Sequence, residues 1–488
     1  MVMALAGTLL AALTALPQTK ALQEDSILYS DGAYRRFYYA VPADYATEGR
    51  WPLMVWLHGG VGGQELPRYD QAVLEESPLL AEMLDRGFVL AFPCGQQGAV
   101  WWDSVGQRGV LDIVARLKQR LRIDDSRVIV AGFSDGASGA YALMMLSPSP
   151  FAGYMAFSGH LGVAAIDGGR STWLESLASR PGIAVHTDLD PLYPTAQMSP
   201  TIDLAREAGA SIDYYTLDGY GHDDAYLPSL LEPVLTFADT VSRPRFPQRI
   251  VWKAGEPSAC DWLQVDSIVE WPVLTSDADH NMVMVSRRIS IGFIPDWESR
   301  EGGVVVDRVP EGDSPANRVG LLSGDRVLSF AGAGVDSLAD LSRAKEALSP
   351  GDPFTMAVLR DGRRLVLEGF LDPPVYYWLF PRSAPSVRIE AALEGNTFSL
   401  RVNRLCRLTL LLHPEMVDLG REVRVLCNGM KVYEGMVDED PGMADSLRSV
   451  TGDLQRDYTA CIELELSRLL PPMMAEGGRG AGGRRSGP

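Results

Sequence analysis

Five residues, Gly132-Phe-Ser-Asp-Gly136, constrain the fold of this chain more than any other stretch. An apolar, β-branched run, Val128-Ile-Val-Ala131, precedes them, and a small-residue segment, Ala137-Ser-Gly-Ala-Tyr-Ala-Leu143, comes after. The pattern predicts a strand, a tight turn and a helix, with Ser134 at the apex. A turn that sharp needs flanking positions without bulk, and Gly132 and Gly136 supply them. The serine hydroxyl then stands above the end of a strand and at the N-terminus of a helix. Free amides and the helix dipole favour a developing negative charge there. Ser134 is the candidate nucleophile.

Residues 27–243 alternate between strand-like and helix-like patterns. Tyr34–Val41, Leu53–Leu57, Phe88–Phe92, Tyr154–Phe157, Ile183–His186 and Ile212–Thr216 read as strands, and Val110–Leu121 has helical apolar spacing. Such alternation predicts an α/β domain over 25–243, a mainly parallel sheet with helices on both faces. Ser242-Arg-Pro-Arg-Phe-Pro247 reads as a linker.

A nucleophilic serine needs a base, and the base needs an orienting acid. In an elbow of this kind the order along the chain is Ser, Asp, His, each partner on a loop after a strand. Asp190 comes after the strand ending near His186 and is the candidate acid, with Asp188 as the alternative. His222, in Asp218-Gly-Tyr-Gly-His222, is the candidate base. Two backbone amides must hold an oxyanion. The amide of Asp135 supplies one, and the loop after His58-Gly59-Gly60 supplies the other, from Gly60 or alternatively Val61. His58 and His160 read as structural, and His280 and His413 as unrelated to the site. Trp101-Trp102-Asp103 either floors a substrate pocket or packs in the interior.

Leu-His-Gly-Gly at 57–60, Gly-Phe-Ser-Asp-Gly-Ala at 132–137, His-Thr-Asp-Leu-Asp-Pro at 186–191 and Gly-Tyr-Gly-His at 219–222 resemble an α/β-hydrolase. Within that fold they are similar to esterases related to polyhydroxybutyrate depolymerases, feruloyl esterases and dienelactone hydrolases. The chain departs from the depolymerase pattern at Ala137, where a second glycine is usual, and at Thr187, where a glycine usually comes after the histidine. The resemblance implies a carboxylic ester hydrolase acting through an acyl-enzyme on a small or polymeric ester. Two alternatives are a serine peptidase of the prolyl-oligopeptidase type and a scaffold of the same fold without activity.

Residues 285–371 resemble a PDZ domain through Ile291-Gly-Phe293, Gly302–Val309, Gly324-Asp-Arg-Val-Leu328 and Val358-Leu-Arg-Asp-Gly362. The resemblance implies a peptide partner added to a sheet edge, its carboxylate held at Ile291, Gly292 and Phe293. Pro295 lies in the strand that would pair with the peptide and has no N–H to give. Residues 249–274 are too few to fold alone. They are expected to join the alternating strands of 373–468 in one discontinuous, sandwich-like antiparallel β domain. Trp252, Trp262 and Tyr376-Tyr377-Trp378 suit either a core or an exposed carbohydrate-binding face.

The formal net charge of −19 excludes a nucleic-acid binder, which needs clustered cations. Five cysteines show no metal spacing, and the motifs call for neither cofactor nor metal. Residues 1–24 resemble a signal peptide by length and apolarity, though without basic residues at the start. They lead to an expectation of an extracytoplasmic protein, secreted or periplasmic, with a cytoplasmic one as the alternative. No segment beyond this leader has the composition of a membrane span. The Gly- and Arg-rich stretch 469–488 reads as a disordered tail.

Overall fold

The computed structural model describes residues 20–269, 279–286, 289–296, 302–382 and 385–467. The leader proper and the C-terminal tail lie outside the described residues. The chain divides into two compact units, residues 282–378 and the remainder.

The larger unit is built on an eight-stranded sheet. Its strands are β1 (Gln23–Leu28), β2 (Tyr34–Ala40), β3 (Trp51–Leu57), β4 (Val89–Pro93), β5 (Ile123–Phe133), β6 (Gly153–Phe157), β7 (Gly182–Thr187) and β8 (Ile212–Leu217), in the order β1-β2-β4-β3-β5-β6-β7-β8. β1, β2 and β4 pair antiparallel, and every pairing from β4 through β8 is parallel. β3, β4, β6 and β7 are buried along nearly their whole length. That explains their near-continuous apolar runs, since a parallel sheet is covered on both faces. Among the helices of this unit are α1 (Ser104–Arg120), capped by the Asp103 carboxylate, and α2 (Asp135–Leu146), buried almost throughout.

The same unit contains a β-sandwich. Arg249–Ala254 pairs with Val387–Glu394 in a five-stranded sheet, and Leu263–Ile268 pairs with Leu405–Leu412 in a four-stranded one. The two sheets enclose one apolar core that includes Trp252 and Trp262, neither of them exposed. The indole N–H of Trp262 donates to the Pro247 carbonyl and that of Trp252 to Ser258 Oγ, so both rings are spent in packing. Thr397–Val402 and Val423–Cys427 pair in parallel, an exception among the antiparallel pairings described in these two sheets. A helix at Pro441–Thr451 is a departure from the expected run of strands. Asp440 caps it, and Gly452 ends it in a left-handed conformation. A β-carbon on Gly452 would lie 2.7 Å from the Ala115 carbonyl, so this helix end is pressed onto α1.

Buried charge ties the sandwich to the α/β sheet. Lys118 of α1 contacts Asp125 at 2.9 Å and Asp453 at 2.8 Å, and Arg243 contacts Asp453 at 3.0 Å. Arg180 pairs with Asp261 at 2.5 Å, and Glu175 holds Lys253 at 3.2 Å and His280 at 2.9 Å.

The smaller unit is a five-strand path flanked by two short helices, Pro315–Arg318 and Leu338–Glu346, over its own apolar core. Val283–Ser286 pairs with Val375–Trp378 in a separate ribbon. Residues 375–378 therefore belong with the smaller unit rather than with the sandwich, and Tyr376 and Trp378 are exposed on that ribbon. The five cysteines are unpaired. Among the described residues no helix is long and apolar enough to cross a membrane.

Candidate active site

Ser134 sits where β5 turns into α2, with φ of 58° and ψ of −118°. A non-glycine residue held there is strained, a cost that surrounding structure must offset. The packing around it explains the glycines. A β-carbon on Gly136 would fall 1.8 Å from the Leu57 carbonyl, and one on Gly132 would fall 2.4 Å from the Gly136 backbone. Only bare backbone lets β3, the elbow and α2 meet this closely.

His222 and Asp190 converge on Ser134 from loops after β8 and β7. His222 Nε2 lies 2.8 Å from Ser134 Oγ, and His222 Nδ1 lies 2.8 Å from Asp190 Oδ2. A carboxylate can only accept, so Nδ1 carries the proton and Nε2 is left to accept from the serine. Asp190 is buried, and its other oxygen accepts from the amides of Leu192 at 2.7 Å and Tyr193 at 2.9 Å. Burial pushes its pKa up, but the hydrogen bonds from His222 and the two amides outweigh burial and hold it below the usual carboxylate range. Asp188 is elsewhere: exposed, it accepts the Gly219 amide at 2.6 Å and orders the turn that carries His222. The His222 ring packs between Phe133, with centroids 4.9 Å apart, and Tyr193, at 5.8 Å.

The loop after β3 approaches the serine from the other side. A β-carbon on Gly59 would lie 3.0 Å from Ser134 Cβ. Gly60 comes next, with φ of 70° and open space beside it. The Val61 amide donates to Asp135 Oδ2 at 3.0 Å, so it is committed away from an oxyanion. Asp135 is the first residue of α2, where the amide has no acceptor within the helix. The amides of Gly60 and Asp135 remain as donors. Sequence reasoning assigned Asp135 a backbone role only. Its side-chain latch on Val61 was missed, because nothing local in sequence links positions 74 residues apart.

His58 fixes this loop from below. The Gly95 amide donates to Nε2 at 2.9 Å, so Nδ1 carries the proton and donates to the Gly59 carbonyl at 2.7 Å. Burial lowers its pKa, keeping it neutral. Trp101 is fully buried, wedged against Gly95 and Gly139, and its indole N–H donates to the His58 carbonyl at 2.8 Å. The Trp101–Trp102 pair is therefore buried in the interior. His160 is buried beside Tyr193, its ring centroid 6.0 Å away. His280 and His413 lie outside the site, on Glu175 and against Phe246. No cluster of metal ligands occurs among the described residues.

In the smaller unit, Gly292 has φ of 91°, and a β-carbon there would lie 2.5 Å from Ser314 Cβ. The Ile291 carbonyl accepts the Ala316 amide at 2.7 Å. Phe293 leads into the short edge strand Ile294–Pro295, whose pairing with Val304–Arg308 is irregular at Pro295. Ile291, Gly292 and Phe293 thus form a loop at the open edge of the sheet.

These features define a serine-hydrolase fold joined to a PDZ domain. Residues 110–241, which include Ser134, Asp190 and His222, match the phospholipase/carboxylesterase family, and residues 289–368 match the PDZ family. A thermostable esterase is 18% identical, with 46% of this chain aligned to 64% of that one at a TM-score of 0.38. A ferulic acid esterase is 16% identical over 44% of this chain and 97% of its own, at 0.36. The Pyrococcus horikoshii acylaminoacyl peptidase is 12% identical over 46% of this chain and 42% of its own, at 0.37. No curated protein matches the chain.

Proposed function

We propose that the protein is a serine esterase that cleaves carboxylic esters through Ser134, His222 and Asp190. The observation that carries this reading is the unbroken hydrogen-bond chain from Ser134 Oγ through both ring nitrogens of His222 to Asp190. His222 Nε2 takes the hydroxyl proton as Oγ attacks the ester carbonyl. Asp190, kept ionised, stabilises the imidazolium and holds the ring. The amides of Gly60 and Asp135 receive the oxyanion. His222 then gives its proton to the leaving alcohol, and water, deprotonated by the same nitrogen, releases the acid from Ser134. The match of 110–241 to a phospholipase/carboxylesterase family supports an ester over an amide. The PDZ domain supports a peptide partner, met at Ile291, Gly292 and Phe293. For the site of action, we propose an extracytoplasmic compartment on the apolar leader.

The test is a panel of short-chain aryl esters, feruloyl sugars and hydroxybutyrate oligomers, assayed with wild type and Ser134→Ala. Turnover lost in the variant supports the reading. A folded wild type that turns over peptidyl amides but no ester overturns it.

A further inference from the structure

The open edge of the PDZ domain is not a uniform template for an added strand. That edge is Ile294–Pro295, paired on its inner side with Val304–Arg308. The Asp296 amide donates to the Val305 carbonyl at 2.9 Å, and the opposed pair one step back is Pro295 with Val306. An antiparallel ladder alternates hydrogen-bonded and non-hydrogen-bonded pairs, so Pro295 and Val306 turn their backbone groups away from each other. Val306 does so, its amide donating at 2.8 Å to the Asp325 carbonyl on its other side. Pro295 therefore faces the open edge, at a position where a partner strand needs an N–H and proline has none.

One outward position earlier, the edge is different. Outward positions recur every second residue, which makes Phe293 the neighbour of Pro295 along the edge. The amides of Ile291, Gly292 and Phe293 donate to no acceptor among the described residues. Gly292, with φ of 91°, turns the chain between them, and successive free amides of this kind form a concavity for an anion. A free C-terminal carboxylate placed there brings the N–H of its own residue to the Phe293 carbonyl. The third residue from the end then falls opposite Pro295, about 6.8 Å further along.

We infer that the PDZ edge captures only the last two residues of a free C-terminus, and that Pro295 ends the pairing there. The partner is then a chain end recognised by its carboxylate and terminal residue, with no requirement on the residues before them. A regular edge would instead read an extended tail several residues deep. The inference rests on the proposed reading of this edge as a peptide site and is independent of the esterase reading.

The test is fluorescence anisotropy with the full-length Ser134→Ala protein, used so that no probe is cleaved, and labelled alanine hexapeptides ending in each amino acid in turn. For the best terminal residue, the hexapeptide and its C-terminal dipeptide on a glycol linker should bind within about 2-fold of each other. Amidating the C-terminus should weaken both about 10-fold or more. Adding Pro295→Val returns an N–H to the edge, so it should tighten the hexapeptide about 5-fold or more and leave the dipeptide unchanged. A thermal melt checks that the variant folds. If the protein with Pro295 binds the hexapeptide about 10-fold tighter than the dipeptide, or if folded Pro295→Val binds both peptides no differently, the inference is overturned and the peptide site stands. Binding of no peptide, or binding indifferent to amidation, overturns the peptide reading and the inference with it.

Discussion

The Asp135 carboxylate accepts the Val61 amide at 3.0 Å, so the residue after Ser134 fastens the loop that faces it. In the proposed mechanism one residue thus offers its backbone N–H to the oxyanion and uses its side chain to hold the loop bearing the second donor. Asp135→Ala should lower kcat about 10-fold, or about 1.4 kcal/mol, with KM changed less than about 3-fold. Asp135→Asn keeps an acceptor oxygen and should recover most of the loss. Steady-state kinetics on one aryl ester checks this. Equal kcat in the alanine variant and wild type would remove the latch from the account.

The seam between sheet and sandwich should respond strongly to loss of one carboxylate. Asp453 is buried, and although burial raises its pKa, Lys118 and Arg243 hold it down to about 2. Asp453→Ala leaves Arg243 and Lys118 buried and under-compensated, at a cost of about 3–5 kcal/mol. Denaturant unfolding measures this, and a loss below about 1 kcal/mol would show that the network is incidental.

Acid should destabilise the catalytic unit well before carboxylates titrate. Burial holds His160 and His186 at about 4, against an ordinary 6.5. The unfolded chain takes up a proton at each as pH falls through 6.5, while the folded chain refuses it until about 4. Stability carried by the neutral rings is therefore complete above 6.5 and is lost between 6.5 and 4, on the order of 3 kcal/mol for each ring. Melting temperature should fall steeply across that window, and His186→Gln should flatten the fall even if it melts lower at pH 8. An unchanged slope would contradict the assignment.

Trp101 should matter to catalysis without touching substrate. Trp101→Phe removes the indole N–H that holds the His58 carbonyl at 2.8 Å while keeping most of the ring volume. Leaving that carbonyl buried and unpaired costs about 1–3 kcal/mol. A few-fold loss of kcat with KM unchanged is expected, since the shift is passed to Gly59 and Gly60. A change confined to KM would point to a pocket role instead.

The α/β-hydrolase architecture was legible because its parallel strands are buried on both faces and announce themselves as apolar runs between helices. The elbow was legible because close backbone approach at Gly132 and Gly136 excludes any side chain. The PDZ module was legible through its glycine turns. Other features were not. The parallel pairing of Thr397–Val402 with Val423–Cys427 carries the same two-residue alternation as an antiparallel pair. The helix Pro441–Thr451 had a capping aspartate, a proline at its first position and a terminal glycine as local signals, but within a stretch of strands. The reach of Asp135 to Val61 depends on tertiary placement.

The central claim is that Ser134 is an activated nucleophile, and mass spectrometry of the fluorophosphonate-treated protein tests it most directly. The account predicts one adduct per chain, mapped to the peptide containing Ser134, absent from Ser134→Ala and formed far more slowly in His222→Ala. A folded wild-type protein that remains unlabelled, or that is labelled equally in Ser134→Ala, would contradict it.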